Sequence, residues 1–194
     1  MNKWDELYSN GAKYTPLNEL YLQRLLEEIE RTSKKKPTTV IDLGCGTGDA
    51  LIKFAKNGLS GFGFDMSEIA INIAKEKLSE QGIRNIKVSV QDLDTLDFRQ
   101  TADVILCRLT YAFIAQKENF LETVKGLMAA HSVFVLTTPV LHKDMEYTKE
   151  DKPGIAVDFL ETQKLLKHMF SSVKIFNHEY FGDKGETVTF LMMK

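Results

Sequence analysis

A glycine run bounded by carboxylates, Asp42-Leu43-Gly44-Cys45-Gly46-Thr47-Gly48-Asp49, is the segment of this chain best suited to holding a ligand. It follows the β-branched run Thr38–Leu43 and precedes apolar residues at helical spacing, so it reads as a strand-to-helix turn. In an open parallel sheet, ligands bind beyond the carboxyl ends of the strands. Glycine there lets a ligand approach with no Cβ in the way. A dinucleotide turn has the spacing Gly-x-Gly-x-x-Gly and presents a helix N-terminus to a pyrophosphate. Here the spacing is Gly-x-Gly-x-Gly, and Asp49 at the helix head opposes a pyrophosphate. Asp42, just before the glycines, suits a cation such as a sulfonium or an ammonium. Together these features favour a cationic nucleoside.

Two further carboxylates stand at corresponding places. Asp65 ends the run Ser60–Asp65 and precedes Met66. A carboxylate there accepts both hydroxyl protons of a ribose; alternatively it serves the N-terminal dipole of the next helix. Asp92 follows Asn85–Val90 and precedes Leu93. It is placed to accept from an adenine amino group while the Leu93 amide donates to the ring. Cys107 and Arg108 close the fourth strand, Ala102–Cys107. The two cysteines, Cys45 and Cys107, read as small buried residues.

The elements that position these residues alternate. Thr15-Pro16 caps a helix that runs to Arg31 with Leu22, Leu25, Leu26 and Ile29 on one face. Strand Thr38–Leu43 leads to helix Asp49–Asn57, and strand Ser60–Asp65 to a Ser67-capped helix ending at Gly82, with Ile69, Ala70, Ile73, Ala74 and Leu78 inward. Strands Asn85–Val90 and Ala102–Cys107 come next, then a helix carrying Phe120, Leu121, Val124, Leu127 and Met128, and strand Ser132–Thr138. The stretch from Pro139 to Val157 is irregular, as binding loops often are. Asp158 and Glu161 head the last helix, with Leu165, Leu166, Met169 and Phe170 inward. Val173–Tyr180 and Glu186–Met193 form a terminal hairpin. This order predicts an α/β three-layer sandwich around a mostly parallel seven-stranded sheet, with one antiparallel strand from the hairpin.

The stretch 38–138, with the terminal hairpin, resembles the class I, Rossmann-like S-adenosylmethionine-dependent methyltransferases. Asp42–Gly48 matches the first motif of that family, Asp65-Met66 the acidic position after the second strand, and Asp92-Leu93 the adenine contact. The resemblance implies S-adenosylmethionine as cofactor, held by Asp42, Gly44, Cys45, Gly46, Gly48, Asp65, Met66, Asp92, Leu93, Cys107 and Arg108. It places Asp42 and the Gly44 carbonyl near the methionine amino group, and Cys107 and Arg108 near the transferred methyl. A looser likeness of size and layout is to small tellurite-resistance-type and thiopurine-like methyltransferases. Cys107-Arg108-Leu109-Thr110 departs from the Asp/Asn-Pro-Pro-aromatic signature of adenine and glutamine amino methylation. Neither the acidic cluster of Mg²⁺-dependent catechol-type enzymes nor the Pro-Cys of cytosine-C5 enzymes is present, and no Cys or His spacing suggests another metal.

Methyl transfer from a sulfonium needs chiefly alignment and exclusion of water, so the expectation is a methyltransferase without a catalytic triad. Its acceptor is expected to be a small molecule because the chain has no room for a dedicated substrate domain. Acceptor-site candidates are Tyr8 and Tyr14, with Trp4, in the N-terminal segment, Tyr111 with Thr110 and Phe113 after the fourth strand, and His142 with Asp144, Glu146 and Tyr147 in the 139–157 stretch. Two other readings stay open: a non-catalytic partner subunit that binds S-adenosylmethionine or S-adenosylhomocysteine, and a nicotinamide-dependent oxidoreductase, which the glycine spacing and hairpin oppose.

At 194 residues, 43% hydrophobic and 27% charged, the chain fits one domain. It divides into a lid segment (1–37), a cofactor core (38–138) and a substrate-side loop, helix and hairpin (139–194). A net charge of −2 gives no bulk attraction for nucleic acid or anionic membrane. No window approaches the roughly 18 apolar residues of a spanning helix, and the polar start is unlike a signal peptide; the chain reads as cytoplasmic.

Overall fold

The computed structural model describes residues 2–12, 17–142, 155–180 and 186–194. In chain order the elements are α1 (Lys3–Ser9), α2 (Glu19–Ser33), β1 (Thr39–Leu43), α3 (Asp49–Lys56), β2 (Ser60–Asp65), α4 (Glu68–Glu80), β3 (Ile86–Val90) and β4 (Ala102–Arg108). There follow a 3-10 turn (Tyr111–Phe113), α5 (Lys117–Leu127), β5 (Met128–Leu141), β6 (Val157–Asp158), α6 (Phe159–Met169), β7 (Ser172–Tyr180) and β8 (Glu186–Met193). The strands form a sheet in the order β3-β2-β1-β4-β5-β8-β7, with β6 paired to β5 off this path. β8 runs antiparallel to both β5 and β7, and the remaining pairings are parallel. The hairpin thus delivers one antiparallel strand, as expected.

Each face of the sheet carries its own core. Val40, Val104, Leu106, Val135 and Leu191 pack against α2, α3 and α4 through Leu22, Leu25, Ile29, Leu51, Phe54 and Ile71. Ile41, Leu43, Ile105, Phe134, Leu136 and Phe190 pack against α5 and α6 through Phe120, Leu121, Val124, Leu166 and Phe170. Strands covered on both sides need nearly continuous apolar sequence, and β1 and β4 have it except at their carboxyl ends. Those ends turn polar where the ligand side of the sheet begins.

Four expectations change. α2 starts at Glu19, capped by the Asn18 side chain, which accepts from the Leu20 and Tyr21 amides. A cap with two donors fixes the first turn there; Thr15 and Pro16 lie outside the described residues. In α4, Ile71 rather than Ile69 or Ile73 fills the core stripe with Ala70, Ala74 and Leu78, which frees Ile73 for the cavity described below. β5 extends from Met128 to Leu141, and β6 pairs with its far end through Val140↔Val157 and Leu141↔Asp158. The sheet therefore has eight strands rather than seven. Residues 143–154, with Asp144, Glu146 and Tyr147, and the hairpin turn at 181–185 lie outside the described residues. Among the described residues, no helix is long and apolar enough to cross a membrane.

Asp103 staples the entry of β1 to that of β4. Its carboxylate accepts from the Thr38 amide (2.8 Å), the Thr38 hydroxyl (2.9 Å), the Thr39 amide (3.2 Å) and Lys35 Nζ (2.7 Å). Burial raises its pKa, but the Lys35 and Thr38 donors outweigh burial and hold it at about 2. A depressed folded pKa stabilises above the unfolded value of 3.8, and that contribution is lost as pH falls through the folded value. Asp103→Asn is expected to cost about 1 kcal/mol at pH 7, once solvent screening of a partly exposed group is allowed for. Near pH 2 the difference should vanish. Urea denaturation at the two pH values measures it, and an equal cost at both would contradict the charge assignment.

Candidate functional site

The carboxyl ends of β1, β2 and β4 and the loop after β3 open into one cavity of about 590 Å³. β1 contributes Asp42 and the glycine turn. Gly44 has φ +85° and Gly48, which caps α3, has φ +78°. A Cβ on Gly44 would fall within 3 Å of the Thr110 side chain, so only glycine allows the turn to lie this close to the end of β4. The Gly44 and Cys45 amides both donate to the Phe64 carbonyl, at 2.8 and 3.0 Å, tying the turn to β2.

Asp42 is 2% exposed. Burial lifts its carboxyl to about 7; the nearby Arg108 guanidinium lowers it, and the neighbouring Asp65 raises it. Such a group favours a positively charged partner. Asp65 accepts from the Gly46 amide and the Ser67 amide, each at 2.9 Å. Its burial still raises its pKa above the ordinary carboxylate range despite these donors. Its oxygens therefore line the cavity from a fixed position between two turns. Asp92 is exposed, accepts from the Asp94 amide at 3.0 Å, and stands beside buried Leu93. Asp49 does not face the cavity unpaired: Lys77 Nζ donates to its two oxygens at 2.9 and 3.0 Å.

α1 roofs the cavity. Asn2 accepts from the Asp5 amide and Asp5 accepts from the Asn2 amide, a reciprocal cap that nucleates a seven-residue helix. Asp5 also accepts from the Ser67 hydroxyl at 2.8 Å and the Ile69 amide at 3.4 Å, and Asn2 Nδ2 donates to the Met66 carbonyl at 3.0 Å. The Ser67 hydrogen bond leads the groups that lower the Asp5 pKa, so the latch is a carboxylate on the head of α4. From this roof Trp4 meets Phe113 edge-on with ring centroids 4.6 Å apart. The Tyr8 hydroxyl sits where a Cβ on Gly46 would come within 2.7 Å of it.

The cavity is lined by Asp42, Gly44, Cys45, Gly46, Asp65, Met66, Asp92, Leu93, Arg108 and Tyr8 among the residues singled out from sequence. Gly48 stands just behind it, close to Ala74. Cys107 is a correction: strand alternation turns Arg108 to the cavity and Cys107 into the opposite core, fully buried. Burial and the Asp42 charge push its thiol pKa far up, and the Tyr111 and Thr110 amides point at its sulfur. Tyr111 is another: it lies in the same core, 0% exposed, its hydroxyl unpartnered among the described residues. His142 is held away from the cavity lining by Glu186, with Nε2 and Oε2 2.6 Å apart, and by Phe159, whose ring is 4.9 Å away. Tyr14 lies outside the described residues.

Sequence reasoning missed Ile73, Lys77, Leu109 and Ile114 as lining residues. Leu109 has φ +60°, with its amide donating to the Thr137 carbonyl at 2.8 Å. A leucine in this region carries strain of about 1–2 kcal/mol, held in place at the cavity edge. Nothing in residue type signals it. Among the described residues no group of three or more His, Cys, Asp or Glu side chains is arranged to hold a metal.

A family model described as a methyltransferase domain matches residues 34–177. EEF1A lysine methyltransferase 2 of Danio rerio is 24% identical over 183 residues, covering 89% of this chain and 73% of that protein. A ubiquinone biosynthesis O-methyltransferase of Coxiella burnetii is 30% identical over 122 residues, 62% of this chain and 51% of that protein. Among solved structures, an S-adenosylmethionine-dependent methyltransferase from Clostridium acetobutylicum ATCC 824 superposes with a TM-score of 0.70 at 17% identity, covering 98% of this chain and 95% of that one.

Proposed function

Since the chain belongs to the methyltransferase domain family and is an S-adenosylmethionine-dependent methyltransferase, we propose that the cavity under α1 holds the cofactor and a small-molecule acceptor together. The observation that carries this reading is convergence: four successive strand ends supply candidate residues to one cavity of about 590 Å³.

The residues fit the cofactor. Asp42, buried and hard to charge alone, takes the methionine ammonium. Asp65, fixed by two backbone donors, receives the ribose hydroxyls. Asp92 accepts from the adenine amino group beside Leu93, and the glycine turn lets the nucleoside lie against backbone. S-adenosylmethionine supplies an electrophilic methyl on a cationic sulfur. The chain then has to align an acceptor with that methyl and keep water out. Trp4, Tyr8 and Phe113 form the apolar roof that does the second. The 1–194 span acts as one methyltransferase domain, with α1 as its lid.

A protein lysine acceptor is the second reading. It is favoured by the name of the Danio rerio relative, which aligns with most of this chain. The roof supports the small-molecule reading, because α1 docks directly over the cavity through Asp5 and Ser67.

Calorimetric titration with S-adenosylhomocysteine tests the site, with one-site micromolar or tighter binding as the expected result. Incubation with labelled methyl donor then separates the acceptors: label recovered in small metabolites supports the proposal, and label recovered only in protein overturns it. Asp65→Ala should weaken S-adenosylhomocysteine by about 1–3 kcal/mol, through a lost charge-assisted hydrogen bond and an unpaired ribose hydroxyl. Wild-type affinity in a folded variant would remove Asp65 from the ribose site.

A further inference from the structure

Register places two opposite charges side by side on the cavity floor. Asp42 of β1 pairs with Leu106 of the adjacent β4, and paired residues share a face of the sheet. Arg108 stands two residues beyond Leu106, so the same alternation brings it to the Asp42 face. Both residues line the cavity. Asp42 is 2% exposed and lies on a strand whose neighbours on this face, Val40 and Val104, are fully buried. A carboxylate and a guanidinium on neighbouring strands, in a chamber of low dielectric, form a dipole of fixed direction. Its complement is a zwitterion whose cationic and anionic groups are joined through one carbon.

We propose that Arg108 binds the α-carboxylate of the methionine moiety while Asp42 binds its α-ammonium, so that Arg108 is a cofactor-positioning residue that selects for the amino-acid end of the ligand. This rests on the cofactor reading above. A guanidinium presents paired N–H donors in a plane that matches a carboxylate, which a point charge does not. The pair also explains the residue type at the end of β4. An arginine facing the cavity beside a buried aspartate is compatible with a ligand carrying both signs, and each ligand charge offsets the burial of one protein charge. A purely cationic ligand would satisfy Asp42 and be repelled by Arg108. Holding both ends of the amino acid fixes the direction of the chain that leads to the sulfur, and so the direction in which the methyl points.

The test compares two ligands by calorimetry at pH 8: S-adenosylhomocysteine, and its decarboxylated counterpart, which keeps the ammonium and lacks the carboxylate. Wild-type protein is expected to prefer S-adenosylhomocysteine by about ten- to hundredfold, the range for a hydrogen bond to a charged group. Arg108→Gln should lose that preference and bind both ligands about as wild type binds the decarboxylated one. Arg108→Lys, which keeps the charge and loses the planar fork, should retain part of it and guards against a glutamine variant that fails to fold. Equal affinity of wild type for the two ligands would overturn the proposal, as would an Arg108→Gln variant that weakens both alike. Failure of the wild type to bind either ligand would instead remove the cofactor reading on which the proposal stands.

Discussion

Asp42→Asn is expected to make the ligand-free protein more stable at pH 8, by about 2–4 kcal/mol, while lowering its affinity for S-adenosylhomocysteine by more than about a hundredfold. Asp42 titrates near 7 in the folded protein because burial, reinforced by Asp65 and opposed by Arg108, disfavours its charge. In the unfolded chain it titrates near 3.8. The folded state therefore holds a proton that the unfolded state gives up between about pH 4 and pH 7. A raised carboxyl pKa stabilises at low pH, and that advantage shrinks as pH climbs from 4 to 7. Above 7 the native state carries a buried charge whose cost is set by the whole shift, of order 4 kcal/mol. Asparagine carries no such charge, so its advantage should be present at pH 8 and absent at pH 4. Thermal or urea denaturation at the two pH values gives the first half of the result, and calorimetry at pH 8 the second.

The same linkage acts on the ligand. A methionine ammonium beside Asp42 lowers its pKa, so binding below pH 7 must expel a proton, and affinity should fall up to about tenfold per pH unit between 7 and 5. A variant no more stable than wild type at pH 8, with unchanged affinity, would show that Asp42 is charged at little cost and faces something other than a cation.

Gly44→Ala is expected to destabilise the fold by about 2–4 kcal/mol and to abolish measurable S-adenosylhomocysteine binding. At φ +85° an L-residue is strained by about 1–2 kcal/mol. The added methyl would overlap the Thr110 side chain, and overpacking of this kind adds about 1–3 kcal/mol. These two contributions separate in a double variant. Gly44→Ala/Thr110→Gly removes the overlap and leaves the strain, so it should recover the overpacking share of the loss and nothing more. Denaturation curves for both single variants and the pair measure the coupling. Strict additivity would mean that the turn moves away from β4 rather than pressing against Thr110.

Much of this arrangement was readable in the sequence, for identifiable reasons. The strand-turn-helix at 39–56 follows from β-branched residues, glycines and a helical stripe, all local signals. Asp42, Asp65 and Asp92 were found because each sits at the carboxyl end of its strand or just beyond it, a position that alternating elements fix without knowledge of contacts. What failed was orientation within an element. Cys107 and Arg108 are neighbours, and only the register of β4 against β1 decides which faces the cavity. Tyr111 belongs to a 3-10 turn whose packing against Phe120 sends it inward. Ile71 and Ile73 are both apolar, and helical spacing alone did not tell the core-facing residue from the cavity-facing one. The Asp5 latch spans 62 residues to Ser67 and leaves no trace in local pattern.

The position of β8 bears on how the molecule is made. β8 comes last in chain order, yet it lies between β5 and β7 rather than at the rim of the sheet. It carries Val188, Phe190 and Met192 into one core and Leu191 into the other. During synthesis the half built from β1 to β5 emerges first, with the β5 edge that β8 will cover still unpaired. The sheet cannot close until residues 186–193 have cleared the ribosome. Folding of this chain is thus completed at its far end, by long-range pairing of the kind that sets slow rates and leaves a nascent chain dependent on protection while it waits.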